Sequence, residues 1–139
     1  ACDPSILNRL SIPIMWKQNQ NPHGTNFTIP VDARHNISTG VSASDRAETI
    51  GLLARTDSKP SDLVRPGHTS VLWAQDPKKR FGHTEASVQM AKKGHSIPAV
   101  VICEILNDDG ERADLAFLKK NFPDSPITSL NRLKSNLGF

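Results

Sequence analysis

The sequence predicts an α/β domain, and three observations carry that prediction. Phe27, Ile29 and Val31 alternate with Thr28, Pro30 and Asp32, the period of a half-buried strand. Ala43, Ala47, Ile50, Leu53 and Ala54 form a helical stripe behind the capping start Ser42-Ala-Ser-Asp45, with Asp in place of the usual Glu. Ala99–Leu106 is a near-continuous apolar run, as expected of a strand covered on both faces. At 139 residues the chain suits one domain, 1–139, and leaves little room for two.

The elements follow in order. Asp3-Pro4 reads as an N-cap followed by proline at the first helical position, so a helix is expected over 4–10, with Ile6, Leu7 and Leu10 as its apolar face. Trp16–Gly24 is polar and turn-rich and reads as a loop. The strand over Phe27–Val31 contains Pro30, which places it at an edge or beside a bulge. The stripe from Ser42 ends near Arg55, and Thr56–Gly67, with Pro60 and Pro66, reads as a loop. Val71–Trp73 suggests a short strand and Asp76-Pro77-Lys78-Lys79 a turn. A second long helix is expected over Thr84–Lys93 with Gly94 as its C-cap. After the apolar run, Asn107–Gly110 is a tight turn, and helices are expected over 113–122 and 128–137, the latter ended by Gly138.

Composition excludes several classes. Seventeen Lys and Arg against fourteen Asp and Glu give +3, and the only basic block is Lys78-Lys79-Arg80, too little for a nucleic-acid surface. The longest apolar stretch, Ile97–Leu106, includes Pro98 and Glu104 and is too short to span a bilayer. No charged-then-apolar leader opens the sequence, so no secretory signal is expected. Cys2 and Cys103 show neither metal spacing nor a disulfide framework, which fits a reducing cytoplasm.

Candidate chemistry concentrates in Arg80-Phe-Gly-His-Thr-Glu85, which runs straight into a helix. A helix start offers unpaired N–H groups and partial positive charge, a natural anion site. Arg80 can fork onto a phosphate, Gly82 permits close backbone approach, Thr84 adds a hydroxyl, and His83 can ligate a metal or move a proton. The ordinary alternative is a threonine N-cap beside a surface arginine and histidine, and spacing alone leaves both open. Glu104 is the second anomaly, because a carboxylate inside an apolar strand is costly unless paired. It is either an acid/base or hydroxyl-binding group, or a glutamate satisfied by backbone, arginine or solvent. Arg65-Pro-Gly-His68 presents a histidine after a loop, a proton-transfer candidate or a surface residue. Asp32-Ala-Arg34-His35 with Ser38-Thr39-Gly40 reads as a strand-end ion pair and hydroxyl-lined turn, and Cys103 as plain core.

Taken in order, His23-Gly-Thr-Asn-Phe-Thr28, Asp32-Ala-Arg-His35, Thr39-Gly-Val-Ser-Ala-Ser-Asp-Arg46, Arg65-Pro-Gly-His68, Gly82-His-Thr-Glu-Ala86 and Ile102-Cys-Glu-Ile105 with Asn107-Asp-Asp-Gly110 resemble the 3,4-dihydroxy-2-butanone 4-phosphate synthases of riboflavin biosynthesis. The resemblance runs from about Ala1 to the C-terminus. It implies an α-β-α sandwich, homodimeric with active sites at the interface, and a lyase that converts ribulose 5-phosphate to a four-carbon phosphate and formate. It implies phosphate contacts for Arg80 and Thr84 around Gly82, Mg²⁺ or Mn²⁺ ligation by His83, contact of Glu104 with the sugar hydroxyls, and catalytic importance for Glu104 and His68.

The sequence also departs from the family pattern. The acidic Asp/Arg/Glu loop that supplies family members with a further Mg²⁺ ligand is expected to lie before Ala1, so the domain reads as N-terminally incomplete. With His83 as the only side-chain metal ligand, weak or absent metal binding is expected, since oxygen ligands normally hold that ion. Between His68 and Arg80 the chain is shorter than usual, and Asp76–Lys79 replaces a Gly-Gly turn. Two competing expectations remain: a short, diverged relative using the pocket for metal-independent chemistry, and a non-catalytic phosphosugar-binding or dimerisation partner.

Overall fold

The computed structural model describes residues 1–139. Helix α1 (Pro4–Arg9) starts as its sequence dictates: the Asp3 carboxylate accepts the Ser5 N–H at 2.9 Å, and Pro4 fills a position that needs no donor. Its buried residues Ile6 and Leu7 join Leu10 and Ile12 in the core.

One expected strand becomes two. β1 (Asn26–Phe27) and β2 (Val31–Ala33) change partners at Pro30, which has no N–H to give to a ladder. β1 pairs antiparallel with β4 (Leu72–Trp73), and β2 pairs antiparallel with β3 (Leu63–Thr69).

β3 corrects the loop expected over 56–67. Only its first part is irregular, ending in a 3-10 turn at Pro60–Asp62; from Leu63 the chain is a strand. The register explains why prolines and glycine misled. Ala33 faces Leu63 and Asp32 faces Val64, but Val31 faces Thr69, so Arg65–His68 bulges out between paired residues. The bulge tolerates Pro66 and requires Gly67, where a Cβ would lie 2.2 Å from the Val31 carbonyl carbon.

α2 (Ala43–Ala54) is capped by Ser42, whose Oγ accepts the Asp45 N–H at 3.1 Å, and it packs over β2 and β3. The Thr49 hydroxyl accepts the Ala33 N–H at 2.8 Å and donates to the Asp45 carbonyl at 3.1 Å, tying helix to strand. Leu52, Leu53, Val31, Ala33, Leu63 and Val71 complete the core with the α1 residues. Fully burying a large aliphatic side chain stabilises by roughly 1.5–3 kcal/mol.

The largest correction concerns the apolar run. No strand forms over 99–106: Ala99 bridges Cys2, Leu106 bridges Arg112, and Val101, Ile102, Ile105 and Leu106 are exposed. A strand needs a neighbouring edge for its N–H and C=O groups, and only the two ends of this segment find one. Cys103, expected in the core, is likewise exposed.

α3 (His83–Lys93) starts one residue before its expected position. α4 (Leu115–Asn121) and α5 (Leu130–Leu137) are shorter than the helices expected over 113–122 and 128–137. Asp114 and Ser129 cap them, Gly138 ends α5, and α5 packs on α3. With small antiparallel sheets beside helices, the architecture is α+β.

Candidate active site

The turn before α3 is built around one buried carboxylate. Glu85, 1% exposed, ion-pairs with Arg80; its Oε2 accepts the Gly82 N–H at 2.9 Å and its Oε1 the Gln75 N–H at 3.0 Å. Gly82 is therefore the N-cap, and Glu85 reaches back to it as the third helical residue. Thr84 is not the cap but the second helical residue, and it is buried. The anion site expected at this helix start is thus partly filled from within, since the first N–H already has a carboxylate. The N–H groups of His83 and Thr84 follow it, with no acceptor inside the helix.

Arg80 is fixed on three sides. Besides Glu85, its Nε donates to the His23 carbonyl at 2.9 Å and its second terminal nitrogen to the Thr25 hydroxyl at 2.8 Å. A guanidinium carries five N–H donors, so two remain for a ligand. Held in this way, it presents a preset fork rather than a free side chain.

A cavity of about 540 Å³ opens over this turn. Arg80, Gly82, His83, Thr84 and Glu104 all line it, so the predicted residues of two separate segments meet in one wall. Arg112, His23 and Thr25 line it too. The chain's ion pairs are His68–Asp32, Arg80–Glu85 and Lys92–Asp3, so Arg112 lines the cavity without an ion-pair partner. An adjoining cavity of about 430 Å³ shares His83 and Glu104 and has an apolar lining that includes Ala86, Met90, Ile105 and Leu133. Glu104 is exposed, because the strand expected to bury it does not form. It earns attention by facing both cavities rather than by costly burial.

His68 stands elsewhere. It lines neither cavity and is held at the bulge of β3 against Asp32, with Nδ1 2.6 Å from Asp32 Oδ2 and its backbone N–H 2.9 Å from Asp32 Oδ1. The Ser38–Gly40 turn closes over this pair. It is anchored by Asp45, whose carboxylate accepts the Ser38 N–H and hydroxyl and the Gly40 N–H at 3.1, 2.7 and 2.9 Å. The Ser38 hydroxyl and N–H hold the Asp45 carboxyl at about 2, with Gly40 and Ser42 adding to the effect against the opposing influence of burial.

The sequence reading missed three residues. Asp32 reads from its neighbours as half of a strand-end pair, but its partner is His68, 36 positions away. Glu85 was visible as the third residue of a capping box. Arg112 carried no local signal.

For a divalent cation the donor set is incomplete: no three His, Cys, Asp or Glu side chains are placed to hold a metal ion. His83 and Glu104 share a cavity, but one imidazole and one carboxylate do not make the oxygen-rich shell that Mg²⁺ requires. These residues alone do not fit the ion.

Comparison with known proteins identifies the fold and the motifs together. The family model for 3,4-dihydroxy-2-butanone 4-phosphate synthase matches residues 1–128. A synthase of that name from Neisseria meningitidis serogroup A is 46% identical over 120 residues, covering 85% of this chain and 33% of the relative. One from Chromobacterium violaceum is 44% identical over 109 residues, covering 77% of this chain and 52% of the relative. The chain thus spans a third to a half of these relatives. Among solved structures, the Candida albicans synthase superposes with a TM-score of 0.85 at 37% identity, covering 99% of this chain and 70% of that one. A synthase in complex with two magnesium ions gives 0.79 at 28% identity, covering 98% and 70%. The chain belongs to the 3,4-dihydroxy-2-butanone 4-phosphate synthase family.

Proposed function

We propose that the chain forms the phosphosugar-binding part of a lyase that converts ribulose 5-phosphate to 3,4-dihydroxy-2-butanone 4-phosphate and formate. The observation that carries this reading is the single cavity in which Arg80, Gly82, His83 and Thr84 meet Glu104. The two free N–H groups of Arg80, the helix-start N–H groups and the Thr84 hydroxyl suit a terminal phosphate. The Arg112 charge adds to that field. Glu104, across the cavity, then contacts the sugar hydroxyls. The two products contain every atom of the substrate, so the reaction needs no co-substrate. Its first step removes a proton beside the ketone; a skeletal rearrangement and the carbon–carbon cleavage that releases formate follow, and both need acid/base groups held close while the phosphate is anchored at the far end. Glu104 and His68 are the acid/base groups proposed for this.

His83 is the residue proposed to ligate a divalent cation, but one imidazole does not complete a donor set for it within this chain. Both cysteines are free thiols, which suits a reducing cytoplasm. The position of His68 supports a homodimer with interfacial active sites. In a two-fold assembly, a histidine outside its own cavity can complete the cavity of its partner.

Formate release from ribulose 5-phosphate in the presence of Mg²⁺, coupled to a formate dehydrogenase, tests the reaction. Calorimetric binding of the sugar phosphate without formate would overturn the lyase reading in favour of a binding protein. Mixing tests the interface. If His68→Ala and Glu104→Ala proteins are each inactive, random reassociation of the two restores about a quarter of the wild-type rate. No recovery would place both residues in one protomer's site.

A further inference from the structure

We infer that Asp32 is a positioning residue for His68, fixing the imidazole in the tautomer that carries its hydrogen on Nδ1 and leaving Nε2 free to take a proton. This rests on the proposed role of His68 and extends it to a residue more than thirty positions away in sequence. An ionised carboxylate can only accept hydrogen bonds. Its Oδ1 takes the His68 backbone N–H at 2.9 Å, so Oδ2, 2.6 Å from the ring, faces Nδ1 and calls for a hydrogen there. Two bonds from one carboxylate to one residue fix both the backbone and the ring.

The surroundings over-determine this arrangement. Asp32 is 4% exposed and sits on β2, whose next residue is tied to α2 through Thr49. The bulge at Arg65–His68 brings His68 back over Asp32, which a regular ladder would not do. Gly40 walls the pair with φ +91°, and a Cβ there would lie 2.3 Å from Asp32 Oδ2 and 2.7 Å from His68 Nδ1. Asp45 pins the turn that carries Gly40. By contrast, the His68 side chain is 52% exposed, and its second nitrogen has no partner in the chain. A buried acceptor on one nitrogen and an open second nitrogen are the parts of an oriented general base.

The experiment is a long-range proton–nitrogen correlation spectrum of the ¹⁵N-histidine-labelled protein above the histidine titration range, on wild type and Asp32→Asn. Wild-type His68 is expected as the Nδ1–H tautomer. In the variant the amide oxygen keeps the backbone bond and its NH₂ faces Nδ1, so the ring is expected to switch to Nε2–H. A wild-type Nε2–H tautomer, or no switch in the variant, overturns the inference. The kinetic readout is a fall in kcat of roughly 10³–10⁴-fold for Asp32→Asn with KM nearly unchanged, by analogy with the serine-protease triad. The double variant with His68→Ala should be no worse than His68→Ala alone. Additive losses would make Asp32 merely structural and overturn the inference. If the tautomer switches but His68→Ala keeps full activity, the positioning stands and the proposed role of His68 falls.

Discussion

The corner that holds His68 and the segment that carries Glu104 are built in opposite ways. At the corner, Asp32, Asp45 and Gly40 are buried, and the two carboxylates have named donors. On the other side, residues 101–106 are exposed, and the segment is tied to the rest of the chain at its two ends, by Ala99 and Val100 against the N-terminal residues Ala1 and Cys2 and by Ile105 and Leu106 against Arg112 and Ala113. The turn before α3 belongs with the corner, since Glu85 is as deeply buried as the aliphatic core. The difference teaches where the chain spends its own packing. It fixes the proposed phosphate-binding turn and the proposed base, and leaves the proposed hydroxyl-binding carboxylate on a segment that its own core does not clamp.

The strongest way to break that contrast is to remove Glu85. Glu85→Ala leaves the Arg80 guanidinium half-buried beside two backbone N–H groups, of Gly82 and Gln75, that lose their acceptor. Losing one partner of a buried pair costs about 3–5 kcal/mol, which denaturant unfolding would read directly. The sugar phosphate should also bind more weakly, because Arg80 loses its orientation. A loss under about 1 kcal/mol would mean that Glu85 neither organises the turn nor holds Arg80.

Gly40→Ala comes next. The new methyl would occupy the space of Asp32 Oδ2 at a φ of +91°, so the turn or the carboxylate must move. We expect about 1–3 kcal/mol of destabilisation, together with loss of the Nδ1–H signature of His68. Retention of both would show that the wall is not needed to hold the pair.

Asp45 gives a smaller, pH-dependent effect. Its carboxyl is depressed in the folded chain to about 2, against roughly 3.9 for an unfolded aspartate. A depressed folded value contributes stability that is present above the unfolded value and lost as pH falls through the folded one. Thermal midpoints should therefore drop between about pH 4 and 2. Asp45→Asn should be less stable than wild type at neutral pH and should flatten that part of the profile. Parallel profiles would remove Asp45 as the anchor of the Ser38–Gly40 turn.

These contrasts also mark how far the sequence was legible. The caps of α1 and α2 are legible because each depends on residues within a turn of one another, Asp3 with Ser5 and Ser42 with Asp45, whereas at α3 the threonine expected as the cap is the second helical residue and Gly82 with Glu85 forms the cap instead. The resemblance assigns Arg80–Thr84 and Glu104 to one substrate, and in the fold they line one cavity. What local pattern could not carry was pairing at a distance. Thr56–Gly67 reads as a loop because the bulge of β3 uses the same Pro and Gly that loops do. Asp32 reads as a neighbour of Arg34 because nothing within several residues of it points to His68. Apolar character at 99–106 records what a strand there would bury, but burial also needs a partner surface, which lies outside the segment's own residues.

The exposed segment itself supplies the smallest expected effect. Val101 is 68% exposed, whereas Val31 in β2 is fully buried. Exposed positions away from caps, charges and special backbone change stability by within about 0.5 kcal/mol, so Val101→Ser should leave the denaturation midpoint almost unmoved. Val31→Ala in the core should lower it clearly, by about 1–3 kcal/mol. A large loss from Val101→Ser in dilute protein would mean that the segment is covered in solution, and sedimentation of the same variant would tell whether a second copy covers it. If the midpoint of the wild type rises with protein concentration while that of Val101→Ser does not, the apolar run is an intermolecular surface. The contrast with the corner would then be one between groups that a protomer positions for itself and groups that its assembly must position.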